Sequence, residues 1–112
     1  MCLFCKIVAK EIPAKVLFED TDLLAFSDIN PMAPTHALVI PKRHIDSLNE
    51  ASADDAVLLG KLLLAARAVA EKLGVTASGY RVVINSGPDA GESVPHLHVH
   101  LLAKRQLAWP PG

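Results

Sequence analysis

The segment His96-Leu97-His98-Val99-His100-Leu101-Leu102 alternates imidazole with aliphatic side chains for three cycles. Near neutral pH an imidazole can be a nucleophile, a proton carrier or a metal ligand, because its ordinary pKa is ~6.5. Successive side chains of a β-strand leave on opposite faces. As a strand, this segment sends Leu97, Val99 and Leu101 into a core and gathers His96, His98 and His100 on the other face. Three readings are open. The histidines could form a polar outer face; the remnant of an affinity tag fits poorly, since a tag does not alternate with Leu and Val. Two of them, at i and i+2, could chelate one zinc ion through bonds of ~2.0–2.1 Å, but all three span ~13 Å and cannot share one tetrahedral ion. Or the middle histidine attacks an electrophile while its neighbours handle charge and protons.

Other residues could join such chemistry. His36 and His44 lie beside strand-like runs. Ser93 offers a hydroxyl and Asn85 an amide; ordinary loop hydrogen bonding is the alternative for both. The backbone amides from Gly91 to Val94 could cradle an oxyanion. Asp28 carries a carboxylate able to accept two hydrogen bonds from a ligand, or it is a turn residue before Asn30-Pro31. His36 could equally be a histidine packed at a strand start. Phe4, Ile7 and Ile29, taken singly, are ordinary core residues. There is no GxxxxGK[ST] and no GxGxxG, which excludes P-loop and Rossmann phosphate binding.

The elements that must position these residues are of an α+β kind. Residues 3–10 can form a short helix. Residues 16–20 and 23–27 are short strands with Asp20-Thr21-Asp22 as the turn between them. Pro31 and Pro34 break the chain. Residues 37–40 form a buried strand ended by Pro41. Ser52 can cap a helix whose positive end suits Asp54 and Asp55, and which runs to about Leu73 and stops at Gly74. Its apolar arc (Leu58, Leu59, Leu62, Leu63, Ala66, Val69, Ala70, Leu73) is wider than one sheet face needs. Strands 80–85 and 97–103, joined through Gly87-Pro88-Asp89-Ala90-Gly91, complete the sheet. The expectation is one domain over 1–112, ending in a tail, 104–112.

Composition narrows the function classes. The chain has 112 residues and a formal net charge of -1, which leaves no broad basic footprint for nucleic acid. Its five aromatic residues, three Phe, one Tyr and one Trp, are too few for stacking platforms. No apolar run approaches the ~20 residues of a membrane span. Lys6 and Lys10 interrupt the start of the chain too early for a signal peptide. The two cysteines, in Cys2-x-x-Cys5, are too close to staple a fold, so the compartment reads as reducing and cytoplasmic.

His-φ-His-φ-His-φ-φ resembles the signature of the histidine triad family of nucleotide hydrolases and transferases. Other segments match that family in order: Cys2-Leu3-Phe4-Cys5-Lys6-Ile7, Glu11-Ile12-Pro13-Ala14-Lys15, Asp28-Ile29-Asn30-Pro31, Ala33-Pro34-Thr35-His36 and Val39-Ile40-Pro41-Lys42-Arg43-His44-Ile45. Asn85-Ser86-Gly87 and Gly91-Glu92-Ser93-Val94 lead into the histidines, and Trp109-Pro110-Pro111-Gly112 is similar to the tail of the Hint branch, the histidine triad nucleotide-binding proteins.

The resemblance implies an antiparallel sheet of about five strands with one long and one short N-terminal helix. The sheet would continue across a homodimer through Tyr80–Ile84 and the long helix. It implies a purine nucleoside phosphoramidase acting on AMP or GMP joined to an amine, or on acyl-adenylates. A dinucleoside polyphosphate hydrolase, or a nucleotide-binding interaction module with incidental catalysis, are the alternatives. The resemblance makes His98 the nucleophile, with Ser93 beside the leaving group, His100 and Asn85 near the phosphate and His36 in support. Asp28 would hold ribose, Phe4, Ile7 and Ile29 would wall the base, and Gly91 and Val94 would flank the phosphate. Trp109 would cross toward the partner's site. Some members also bind structural zinc with a set matching Cys2, Cys5, His44 and His96; free thiols are the alternative, and a redox Cys-x-x-Cys lacks the thioredoxin-like strand before it.

Overall fold

Short apolar runs bounded by turn residues produce a five-stranded antiparallel sheet in the computed structural model, which describes all 112 residues. In chain order the elements are α1 (Leu3–Val8), β1 (Val16–Glu19), β2 (Leu23–Ser27), β3 (Thr35–Pro41), α2 (Ala56–Lys72), β4 (Tyr80–Val83) and β5 (Val99–Ala103). The strands lie in the order β1-β2-β3-β5-β4, which leaves β4 at an edge. The Asp20 side chain makes the first hairpin by accepting from the amides of Asp22 and Leu23 at 2.9 and 2.8 Å.

Alternation divides the sheet residues between two cores. Leu23, Ala25, Ala37, Val39, Val99 and Leu101 face α2, which buries Leu62, Ala65, Ala66, Val69 and Ala70 against them. Leu24, Phe26, Leu38 and Ile40 face the other way and meet Phe4 and Ile7 of α1. Each fully buried Leu, Val or Phe contributes about 1.5–3 kcal/mol, so α1, only six residues long, is held by its two buried side chains rather than by its own helical propensity.

The start of the long helix follows its sequence signals. The Ser52 side chain accepts from the Asp54 amide and the Asp55 carboxylate accepts from the Ser52 amide, at 3.2 and 2.9 Å, a reciprocal cap over a first 3-10 turn. At the other end Gly74 adopts φ +71°, which stops the helix. Of the apolar arc read from the sequence, only Leu63 is exposed, at 50 %, and the rest packs in or against the sheet core; Val57 and Leu64, outside that arc, are 72 and 63 % exposed. No helix is long and apolar enough to cross a membrane.

Several boundaries differ from expectation: α1 ends at Val8 rather than residue 10 and β1 at Glu19 rather than residue 20. β3 begins at Thr35, not Ala37, and includes Pro41, which as the last residue of a strand forfeits no interior ladder bond. β4 ends at Val83. β5 begins at Val99 rather than Leu97, because the Leu97 amide donates to the Ile45 carbonyl at 2.6 Å and the His96 amide to Val94 at 2.8 Å. His96 and His98 therefore stand on irregular backbone just ahead of the strand. The inward side of the alternation holds regardless: Leu97, Val99 and Leu101 are all 1 % exposed or less.

Candidate active site and metal centre

The face of the sheet that carries α1 also carries the histidines. Leu38 of β3 pairs with His100 of β5, and His36 pairs with Leu102, so His36 and His100 are diagonal neighbours on one face. His36 Nε2 lies 2.9 Å from His100 Nδ1. His98 packs edge-on against Phe4, ring centroids 5.2 Å apart, and is 3 % exposed.

The hydrogen bonds assign the protons. His98 Nδ1 sits 2.6 Å from the His96 carbonyl, which can only accept. Nδ1 therefore carries the hydrogen, and in the neutral ring the Nε2 lone pair is free. His36 Nδ1 accepts from the Met32 amide at 3.0 Å, so His36 Nε2 holds a proton and donates it to His100 Nδ1. His100 in turn must be protonated on Nε2, a buried atom with no partner in the protein. A lone pair on one ring and an unspent N–H on the next are a nucleophile and a donor placed side by side.

Burial, reinforced by the neighbouring His98 and His36, pushes the His100 pKa down to about 4, and burial also lowers that of His36 against the opposing pull of Asp28. Both rings are neutral at pH 7, which keeps the chain of donors directional. Asp28 Oδ2 approaches His36 Nε2 at 3.5 Å, while Oδ1 accepts from the Asn30 amide at 2.8 Å.

A cleft of about 380 Å³ opens over these groups, within the ~300–1,000 Å³ typical of small-molecule sites. It is lined by Phe4, Ile7, Asp28 and Ile29 together with His36, Ser93, Val94, His98 and His100. Asn85, Gly91 and Trp109 do not line it. Gly91, at φ +81°, ends the 3-10 turn 88–90 that presents Ser93. Trp109 is 82 % exposed, on a tail that Arg81 tethers by a 2.9 Å bond to the Ala108 carbonyl. Sequence reasoning missed the wall made by Ile12, Pro13 and Ala14; an apolar pair around a rigid proline, just after a short helix, was its only signal.

A second cluster adjoins the first. Sγ of Cys2 lies 3.2 Å from His96 Nδ1, Sγ of Cys5 lies 3.2 Å from His44 Nδ1, and the two Nδ1 atoms are 3.2 Å apart. His96 Nε2 donates to the Pro41 carbonyl at 2.8 Å, and His44 Nε2 binds the Asp46 carboxylate. Both rings thus turn lone pairs toward each other and toward two sulfurs. Burial opposes ionisation of the Cys2 thiol, but the amide and thiol of Cys5 and the ring of His44 outweigh it and leave its pKa below the ordinary value. Four converging acceptors fit a tetrahedral divalent ion: bonds of ~2.0–2.3 Å give ligand–ligand edges of about 3.3–3.8 Å. His96 is thereby separated from the other two histidines of its motif.

The HIT domain pattern matches residues 9–107 of the chain. This chain belongs to the HIT domain family. It is 54 % identical over 110 residues to an uncharacterized HIT-like protein of Synechococcus elongatus, covering 98 % of this chain and 96 % of that protein. It is 52 % identical to the 14 kDa zinc-binding protein of Zea mays, over 98 % of this chain and 87 % of the maize protein. Among solved structures, a HIT family hydrolase from Legionella pneumophila superposes with a TM-score of 0.97 at 51 % identity over the whole of both chains. A histidine triad nucleotide-binding protein from Candida albicans gives 0.85 at 32 % identity, over 98 % of this chain and 83 % of that one.

Proposed function

We propose that the protein is a nucleotide hydrolase of the Hint type that cleaves purine nucleoside 5′-phosphoramidates to the nucleoside monophosphate and an amine. The observation that carries this reading is the paired tautomer assignment: a free lone pair on His98 Nε2 beside an unspent N–H on His100 Nε2, both in a cleft lined by apolar side chains and a carboxylate. The hydrolase and nucleotide-binding relatives from Legionella and Candida support it.

In the first step His98 Nε2 attacks the α-phosphorus, a P–Nε2 bond forms and the P–N bond to the amine breaks. The departing amine takes up one proton, which the Ser93 hydroxyl at the rim of the cleft can pass from solvent. The nucleotidylated ring is cationic and keeps its Nδ1–H on the His96 carbonyl, which stabilises it. His100 Nε2–H steadies a non-bridging oxygen, and the Gly91–Val94 amides can assist. Water then attacks phosphorus and yields one proton to solvent, the P–Nε2 bond breaks with its electron pair returning to Nε2, and the monophosphate leaves. Two modest displacements replace one difficult one. Asp28 accepts from the ribose hydroxyls and Phe4, Ile7 and Ile29 enclose the base.

Cys2, Cys5, His44 and His96 are proposed to hold structural zinc, which would supply a cross-link between α1 and the histidine segment; the maize zinc-binding relative supports this. The protein is further proposed to be a cytoplasmic homodimer, joined through the β4 edge and the exposed side of α2, with each tail reaching the partner's site. Turnover of adenosine 5′-phosphoramidate against diadenosine polyphosphate by one preparation tests the function. Preference for the phosphoramidate is expected; preference for the polyphosphate, or turnover of neither, overturns it.

A further inference from the structure

Arg105 lies two residues beyond the end of β5, is exposed, and has no carboxylate within ion-pair distance. Its guanidinium nonetheless converges on one backbone carbonyl: Nε and Nη2 donate to the oxygen of Met32 at 3.1 and 3.0 Å, and Nη1 to that of Gln106 at 3.3 Å. Met32 is the residue whose amide donates to His36 Nδ1. The two peptide groups that flank it are thus spent in opposite directions, the carbonyl on Arg105 and the N–H on His36.

Besides the Asp28 amide, which donates to the His36 carbonyl at 2.9 Å and closes the base of the loop, little else pins this part of the chain. Pro31 and Pro34 have no N–H to give, the Met32 side chain is 68 % exposed, and only Ala33 is buried there. The Asp28–Asn30 turn holds the near end. We propose that Arg105 is a positioning residue for the cleft: by clamping the Met32 carbonyl it keeps the Met32 amide on His36 and so sets the tautomers of His36 and His100 together.

The physical reason is that this is a chain of four groups with one polarity. While the Met32 N–H points at His36 Nδ1, that nitrogen must accept, Nε2 must donate, and His100 must present Nε2–H to the cleft. If the amide swings away, a proton can sit on His36 Nδ1. His36 Nε2 then accepts, His100 donates from Nδ1, and a lone pair replaces the N–H that faced the phosphate. A donor becomes a repulsive acceptor without any side chain leaving the cleft. Asp28, 3.5 Å from His36 Nε2, favours the same polarity, so loss of the clamp weakens the bias rather than inverting it. Arg105 is not among the residues that line the cleft, and it reaches that lining through the main chain of Met32, so its removal should fall on the rate more than on substrate affinity.

This inference rests on the hydrolase reading for its kinetic consequence but not for its structural one, and the test separates the two. In R105A, ring ¹⁵N NMR of His100 in the substrate-free protein should show the second tautomer alongside the Nε2–H form that alone is expected in the wild type. In the same variant kcat for the phosphoramidate should fall roughly tenfold to a hundredfold with KM nearly unchanged, as for a remote change that misplaces a reacting group. R105K, which keeps the charge but not the two-pronged fork, should recover part of both. Should R105A fail to fold, R105K decides by the same readouts. An unchanged His100 tautomer in these variants overturns the inference, whether or not kcat falls. If the wild type turns over no nucleotide, the hydrolase reading fails, and the tautomer comparison still decides whether Arg105 controls His100.

Discussion

His98 gives its Nδ1 hydrogen to the main-chain carbonyl of His96, 2.6 Å away. The two residues that the sequence presents as equivalent members of one motif are thereby given different work. His96 turns its ring to the cysteines and lends the cleft only its carbonyl, while His98 is left with a lone pair on Nε2. A carbonyl cannot donate, so this bond permits a single neutral tautomer.

Replacing the ring should therefore stop the chemistry and spare binding. For His98→Ala or His98→Gly, kcat is expected to drop roughly 10⁴–10⁶-fold, as when a covalent nucleophile is removed, while affinity for AMP stays close to that of the wild type. Wild-type protein quenched in acid-free denaturant during turnover should carry a nucleotidyl adduct that acid releases. Undiminished hydrolysis by His98→Ala would sink the assignment, and so would an adduct mapped to another residue.

His100 predicts an acid-side loss of stability. Its pKa is about 4 in the folded protein against an ordinary 6.5, so between these values the unfolded chain binds a proton that the folded one refuses. Stability contributed by the neutral ring is full above pH 6.5, declines as the pH falls toward 4, and changes no further below that. In His100→Asn this part of the slope should flatten. Urea unfolding of both proteins at several pH values between these limits measures it. Parallel slopes would show that His100 is not the group responsible.

Much of the frame is legible in the amino-acid sequence alone. Leu23–Ser27 is a strand because an apolar run sits between Asp22 and Asp28, and Ser52 with Asp54 and Asp55 announces the long helix that begins at Ala56. The placing of Leu97, Val99 and Leu101 in the core follows from period-two alternation alone. What could not be read are contacts between distant positions. The Leu97–Ile45 backbone bond pulls the start of the histidine segment off the strand. The Met32 amide reaches His36 only because the loop folds back on itself, and Arg105 reaches Met32 across 73 residues of chain. Local propensity carries no information about such closures. The tautomers, which decide the chemistry of the cleft, depend on all three regions.

The edge position of β4 and the exposed Val57, Leu63 and Leu64 on α2 lead to the expectation of a dimer. An uncovered strand edge and an exposed apolar helix face are each surfaces that can pair with another chain, and a two-fold axis would let the same patch complement itself. Sedimentation at micromolar concentration should give twice the chain mass of 12.0 kDa. Deleting residues 106–112, which keeps Arg105, should leave the dimer intact and change the preference among leaving amines. A monomer would refute the pairing, and unchanged preference would refute a role for Trp109 at the partner's site.

Metal removal tests the second cluster. Protein purified without chelator should contain about one zinc per chain, the stoichiometry of a four-ligand structural site. Cys5→Ser should lose most of it, because one thiolate of four ligands is gone and the His44 and His96 lone pairs, whose Nδ1 atoms lie 3.2 Å apart, are left facing each other without sufficient charge between them. Stripping the ion should lower Tm by roughly 10 °C, the effect of about 2 kcal/mol in a domain of this size. The kinetic consequence should fall first on KM. Cys2 caps α1 and Cys5 lies within it, and α1 carries Phe4 and Ile7, so freeing the helix loosens the apolar wall of the cleft, Phe4 against His98 included, while the His96 carbonyl keeps its bond to His98 Nδ1. The strand that bears His100 and the Met32–His36 bond are held by other contacts, so the His100 tautomer should survive. Zinc-free protein in which both cysteines are freely alkylated in the native state, with KM and Tm the same before and after chelation, would defeat the metal assignment and leave the chemistry of His98 untouched.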